Sequence, residues 1–252
     1  MVGAQDHADD SGARAPWFVT THWSVVLAAG RAESDSARAS LEKLCRTYWA
    51  PLYTYVRRRN YHPEDAQDLT QEFFARFLSK NYLQTVEPGR GSFRGFLLTA
   101  MQHFLANEWD KARAAKRGAG QSPIPLEELS AENLYRAVSV QERTPEETYD
   151  QSWALALLEQ VRHRLCDEYT RAGKGPQFDQ WLRFLPGEAS PLSYAETAQL
   201  LGLTEEAVRS EVYRLRKRYR ELVRHEVAQT VATPGEIEEE LRYLIAVLAR
   251  TL

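Results

Sequence analysis

The chain has 252 residues, 43% of them hydrophobic and 27% charged, with a formal net charge of −3. These proportions fit a soluble globular protein of one large domain or two small ones. They exclude a uniformly basic DNA-coating protein. No apolar run approaches the ~20 residues of a membrane span, and the polar start from Met1 to Ala15 lacks the basic lead and apolar stretch of an export signal. A cytoplasmic protein with no membrane contact is expected. Cys45 and Cys166 alone give neither a metal spacing nor a disulfide framework.

Residues 1–16 read as a disordered tail. Helical signals then begin. Leu41, Leu44, Cys45, Tyr48, Leu52, Tyr55 and Val56 recur at steps of three and four. Pro63 suits a first helical turn, and Ala66, Leu69, Phe73 and Phe77 form an apolar stripe behind it. The turn-rich Glu87-Pro88-Gly89-Arg90-Gly91-Ser92 precedes a helix from about Phe93 to Lys116. Residues 118–143 combine Gly118, Gly120, Pro123 and Pro125 with acidic side chains, the composition of a linker.

Thr144-Pro145-Glu146-Glu147 has the form of a capping box, continued by Trp153, Leu157, Leu158, Val161 and Leu165. Ser193-Tyr194-Ala195-Glu196 repeats the signal. Thr233-Pro234-Gly235-Glu236 repeats it again and opens a terminal helix with Ile237, Leu241, Leu244, Ile245 and Leu248 on one face. No strand pattern, glycine-rich phosphate loop or internal repeat is present.

Ser193 to Arg220 is the most informative stretch. A short capped helix ends at Gly202, where a positive φ is expected. Thr204 caps a second, basic helix. Ala198 permits close approach, and Val208 fills the angle. Such a unit sets its second helix in the major groove. Arg209, Ser210, Tyr213, Arg214, Lys217 and Arg218 face bases or phosphates there. The alternative is a helical hairpin with a solvated basic face. Glu205, Glu206 and Glu211 sit awkwardly beside phosphate; they accept from cytosine or turn away. The six histidines are scattered, and no convergent carboxylates or nucleophile–base pair stands out. An enzyme is not expected, and no cofactor or metal is implied.

Ser193–Thr204, with Val208-Arg209-Ser210 and Arg214-Leu215-Arg216-Lys217-Arg218, resembles region 4 of extracytoplasmic-function (ECF) RNA polymerase sigma factors. Asp65-Ala66-Gln67-Asp68-Leu69-Thr70-Gln71-Glu72-Phe73-Phe74 resembles their region 2.2. Phe93-Arg94-Gly95-Phe96-Leu97 through Asn107-Glu108-Trp109 resembles regions 2.3 and 2.4. The three motifs stand in the family's order over roughly residues 20–228. The segment from Tyr169 to Ser190, the Trp17–Val26 stretch and the helix after Thr233 are additions, as in an ECF-like subgroup with extended ends.

The resemblance implies an all-α protein of two small helical domains joined by a flexible linker, the C-terminal one holding a helix-turn-helix. Its parts are a tail (1–16), a region 2-like domain (17–117), an acidic linker (118–143), a region 4-like domain (144–228) and an amphipathic terminal helix (229–252). It further implies docking on the polymerase β′ clamp helices through Asp65, Asp68, Gln71 and Glu72, and contact with the β flap. Arg90, Phe93, Gln102, His103, Asn107, Lys111 and Arg113 are implied to read or grip the −10 element. Phe93, Phe96 and Trp109 serve either base stacking or the core. The helix-turn-helix is implied to read the −35 element. The chain would be a monomer when free, with an anti-sigma factor as a further partner. A duplex-binding transcriptional regulator needs only the helix-turn-helix and is the alternative.

Overall fold

The three- and four-residue apolar steps become nine helices among the described residues, with no strand. The computed structural model describes residues 35–78, 92–114, 128–138, 143–186 and 193–250. The N-terminal tail, the Trp17–Val26 stretch and the loop containing Arg90 lie outside them. The helices are α1 (Asp35–Arg58), α2 (Pro63–Leu78), α3 (Phe93–Ala114), α4 (Glu128–Val138) and α5 (Pro145–Arg171), then α6 (Gly175–Leu182), α7 (Tyr194–Leu201), α8 (Glu205–Ala228) and α9 (Pro234–Ala249).

Helices α1 and α5 form the spine. They run antiparallel: Thr47 bonds Gln160, Thr54 bonds Ser152 at 2.7 Å, and Arg58 Nε donates to the Arg143 carbonyl at 2.8 Å. Tyr48, Leu52, Tyr55 and Val56 of α1 are buried, as are Trp153, Leu157, Val161 and Leu165 of α5. Each such side chain contributes about 1.5–3 kcal/mol on removal from water. Two of the buried hydroxyls are satisfied within their own helices: Thr54 donates to the Pro51 carbonyl, and Ser152 to that of Thr148. The start of α5 has the capping box expected from its sequence, with Glu147 N–H on Thr144 Oγ1 and Thr144 N–H on Glu147.

The apolar stripe of α2 turns inward through Ala66, Phe73 and Phe77, and Phe73 meets Phe104 of α3 edge-on at 5.7 Å. Inside the stretch read as a linker, residues 128–138 form α4, which docks on α1. Glu132 receives both Nε and Nη2 of Arg57 and the Tyr53 hydroxyl, and Arg57 lies 4.6 Å over the Tyr135 ring. Ala131 and Val138, one face apart by two turns, are buried beneath it. That spacing was the available helix signal; glycine and proline further upstream masked it.

One hydrophobic cluster runs from Cys45 to Val247, so the early and late helices share a core. The terminal helix α9 folds back across the α3 start. Phe93 N–H donates to the Thr230 carbonyl at 2.9 Å. Arg94 places Nη1 2.5 Å from Asp150 and Nε 3.0 Å from Glu240, between the rings of Trp153 and Tyr243 at 5.0 and 4.1 Å. The Tyr243 hydroxyl donates to Asp150, and that of Tyr149 to the Arg94 carbonyl. Burial opposes the charge on Arg94, but Glu240 and then Asp150 more than offset it, and its pKa is raised.

Candidate polymerase and nucleic-acid interfaces

Three surfaces hold the residues singled out from sequence. On α2, the buried phenylalanine stripe forces the polar side outward. Asp65, Asp68 and Glu72 are exposed and Gln71 is half-buried. Glu72 pairs with Arg76 at 2.6 Å, and Arg76 also reaches Glu108 of α3 at 2.6 Å. The acidic face is therefore held at a fixed angle to α3. Asp65 also lies in the first helical turn, where a carboxylate favours the positive helix end.

On α3, His103 and Asn107 are exposed one turn apart. Gln102 is half-buried, with Nε2 3.3 Å from Glu146, so part of its hydrogen-bonding capacity is committed inward. Phe93 has no exposed surface: it meets Tyr48 edge-on at 5.1 Å and Phe77 at 6.4 Å. A base-stacking role for Phe93 is corrected to a core role. Phe96 packs on Phe77 at 5.8 Å, whereas Trp109 is 62% exposed. The side chains of Lys111 and Arg113 lie outside the described residues.

On α7 and α8, local chemistry fixes the turn. Ser193 Oγ accepts from Glu196 N–H, and Glu196 reaches back to Ser193 N–H at 2.8 Å. The Ser193 hydroxyl, at 2.7 Å, and then the Ser193 N–H donate to the Glu196 carboxyl and hold it below its usual range. Gly202 adopts φ 64°, and Leu203 N–H closes onto the Ala198 carbonyl at 2.9 Å. Thr204 then caps α8 through Ala207 N–H. Ala198 and Val208 are buried between the helices.

The outer face of α8 carries Arg209, Ser210, Tyr213, Arg214 and Lys217, all exposed. Arg209 bonds Glu205 and covers the Tyr194 ring at 4.9 Å. Arg218 departs from the expected DNA face. Its Nε and Nη2 both meet Glu168 of α5 at 2.8 Å, so it ties α8 to the spine. The fork holds the Glu168 carboxyl below the usual range. Glu211 is buried, which explains how an acid sits on this helix: it bonds Lys174, Tyr169 and Arg214. Neither the Glu168–Arg218 bond nor the Lys174 contact is readable from α8 alone, because both partners come from elsewhere in the chain.

Residues 44–115 match the family model described as sigma-70 region 2. The chain is also 27% identical over 179 residues to the RNA polymerase sigma factor YlaC of Bacillus subtilis (strain 168), covering 71% of this chain and 89% of that protein. No solved structure gives a significant match. The matched region spans α2 with its acidic face and α3, and the relative's alignment extends well beyond it. The region 2 match and the similarity to a sigma factor together support reading this chain as a sigma factor of the extracytoplasmic-function type.

Proposed function

We propose that this chain is a sigma factor that directs core RNA polymerase to promoters by reading two elements and helping to open one of them. The observation that carries the reading is the sigma-70 region 2 match over residues 44–115, on which Asp65, Asp68 and Glu72 stand exposed opposite a buried phenylalanine stripe. An acidic helix face suits a basic partner helix and adds charge steering. It is assigned to the β′ clamp helices, with Gln71 adding a hydrogen bond.

His103 and Asn107 on α3, with Gln102, Lys111, Arg113 and the Arg90 loop, are assigned to the −10 element. There, strand opening requires capture of unstacked bases. The α7–α8 unit is assigned to the −35 element, with Arg209, Ser210, Tyr213, Arg214 and Lys217 on its outer face. The β flap and an anti-sigma factor are the further partners of this scheme. The chain supplies placement and melting, and polymerase supplies catalysis.

The test is run-off transcription by core polymerase on a promoter library. Transcripts that depend on the chain and share two spaced elements are expected. Duplex binding without any effect on initiation by core enzyme would instead leave a DNA-binding regulator.

A further inference from the structure

The residue that the sequence made awkward, Glu211, has an unusual setting. Its carboxylate is divided between two tasks. Oε1 accepts from Lys174 Nζ at 2.9 Å and the Tyr169 hydroxyl at 3.3 Å. Oε2 takes Nε and Nη2 of Arg214 at 3.1 and 2.5 Å. The Glu211 side chain is 10% exposed, whereas that of Arg214 is 64% exposed. One end of the ion pair is thus built into the fold and the other stands in solvent.

The partners on the inner side come from outside the helical pair. Tyr169 lies near the C-terminal end of α5, and Lys174 precedes α6, in the segment that the sequence resemblance marks as an addition. The same segment receives Arg216 of α8, whose Nε donates to the Phe184 carbonyl at 2.9 Å. The added segment therefore braces the proposed DNA-reading helix from behind at two points.

The donor inventory of Arg214 gives this brace a consequence. A guanidinium has five N–H groups in a rigid plane. Nε and Nη2 use the side edge on Glu211. The end edge, one N–H each from Nη1 and Nη2, points away from the carboxylate. Two parallel donors on one edge match O6 and N7 of guanine. A flexible exposed arginine would have to find this orientation on binding; here the Glu211 fork sets it beforehand. Charge is also resolved. Glu211 stands between two cations, Lys174 and Arg214, so the node remains net positive toward a phosphate backbone.

We propose that Glu211 is a positioning residue, braced by Lys174 and Tyr169 of the added segment, that aims Arg214 at one guanine in the major groove. The inference rests on the reading of α8 as the duplex-contacting helix. Base preference at that position belongs to Arg214 and to the Glu211 carboxylate that orients it, with Lys174 and Tyr169 contributing stability.

The test uses the full chain and a duplex library randomised across the −35 element, with bound and free sequences counted at fixed salt. Wild type is expected to favour guanine at one position by roughly 5- to 150-fold, the range of one good bidentate pair. Arg214→Ala should flatten that position alone. Glu211→Gln keeps an acceptor for one cation only, so it should also flatten guanine preference there by at least about threefold at a temperature where the variant is folded. Lys174→Met leaves the Arg214 fork intact. It should lower the unfolding temperature while holding the guanine ratio within about twofold, which a merely structural role for Glu211 would not separate.

Arg214→Lys serves if Glu211→Gln fails to fold, since lysine keeps the charge but cannot hold the two-point geometry. Retained guanine preference in either Glu211→Gln or Arg214→Lys overturns the inference. So does an Arg214→Ala variant that weakens all sequences equally and lowers the salt slope by about one, the mark of a phosphate contact. If Arg214→Ala changes neither affinity nor preference, the reading of α8 itself fails, a distinct outcome.

Discussion

Arg94 offers the sharpest test of how the chain is held together. It is a cation with a 12% exposed side chain between Asp150 and Glu240, whose side chains are 15% and 10% exposed. Arg94→Met conserves much of the volume but leaves two carboxylates facing each other without their counter-ion. Breaking a buried pair on one side costs about 3–5 kcal/mol, because the remaining charge stays desolvated. For a chain of this size each kcal/mol moves Tm by about 2–4 °C, so a fall of roughly 6–20 °C is expected.

Adding Glu240→Gln should recover part of the loss by deleting one of the two charges. Thermal unfolding followed by circular dichroism, with urea midpoints, measures both quantities. A loss below about 1 kcal/mol for Arg94→Met, or a double variant no more stable than the single one, would refute the claim that this cation is structurally required.

Gly202→Ala should cost about 1–2 kcal/mol in urea unfolding. Its φ of 64° is strained for a residue with Cβ, although no atom lies within 4 Å of an added Cβ. An unchanged midpoint would contradict the conformational origin. Acid titration of stability should show a loss below about pH 4.5. Arg218 hydrogen bonding holds Glu168 below the usual carboxylate range, and Arg57 then Tyr53 do the same for Glu132 against the opposing effect of burial. Folded pKa values below unfolded ones give stability that is present above the unfolded pKa and lost as pH falls through the folded one. Glu168→Gln should remove part of that dependence. Asp68→Lys with Glu72→Lys should weaken association with core polymerase by at least about tenfold while leaving Tm nearly unchanged, since both side chains are exposed; co-elution at wild-type affinity would argue against the α2 docking face.

What was legible in the sequence was what is local. The boxes at Thr144 and Ser193 and the left-handed turn at Gly202 depend on residues within four positions of one another, and all form as expected. The all-helical class followed from apolar periodicity. Side-chain commitments across the chain were not legible. Arg218 looked like a DNA contact because its partner Glu168 lies 50 residues away, and Arg94 meets Glu240 over a separation of 146. Phe93 was a candidate base stacker until Tyr48 and Phe77 enclosed it. Glu211 was an anomaly on a helix wheel and became intelligible only when Lys174 arrived from another segment.

The hydrogen bond from Phe93 to Thr230 also sets a ruler. Thr230 lies just past the end of α8, a 24-residue helix about 36 Å long, so Arg209 and Arg214 stand no more than about that distance from the start of α3. His103 lies about 15 Å further along α3. Two promoter elements named for positions 25 base pairs apart are separated by about 85 Å of straight duplex at 3.4 Å per pair. On the proposed reading, the folded-back arrangement is too short to touch both elements of such a promoter at once, and engaging both would require the Arg94 junction to part.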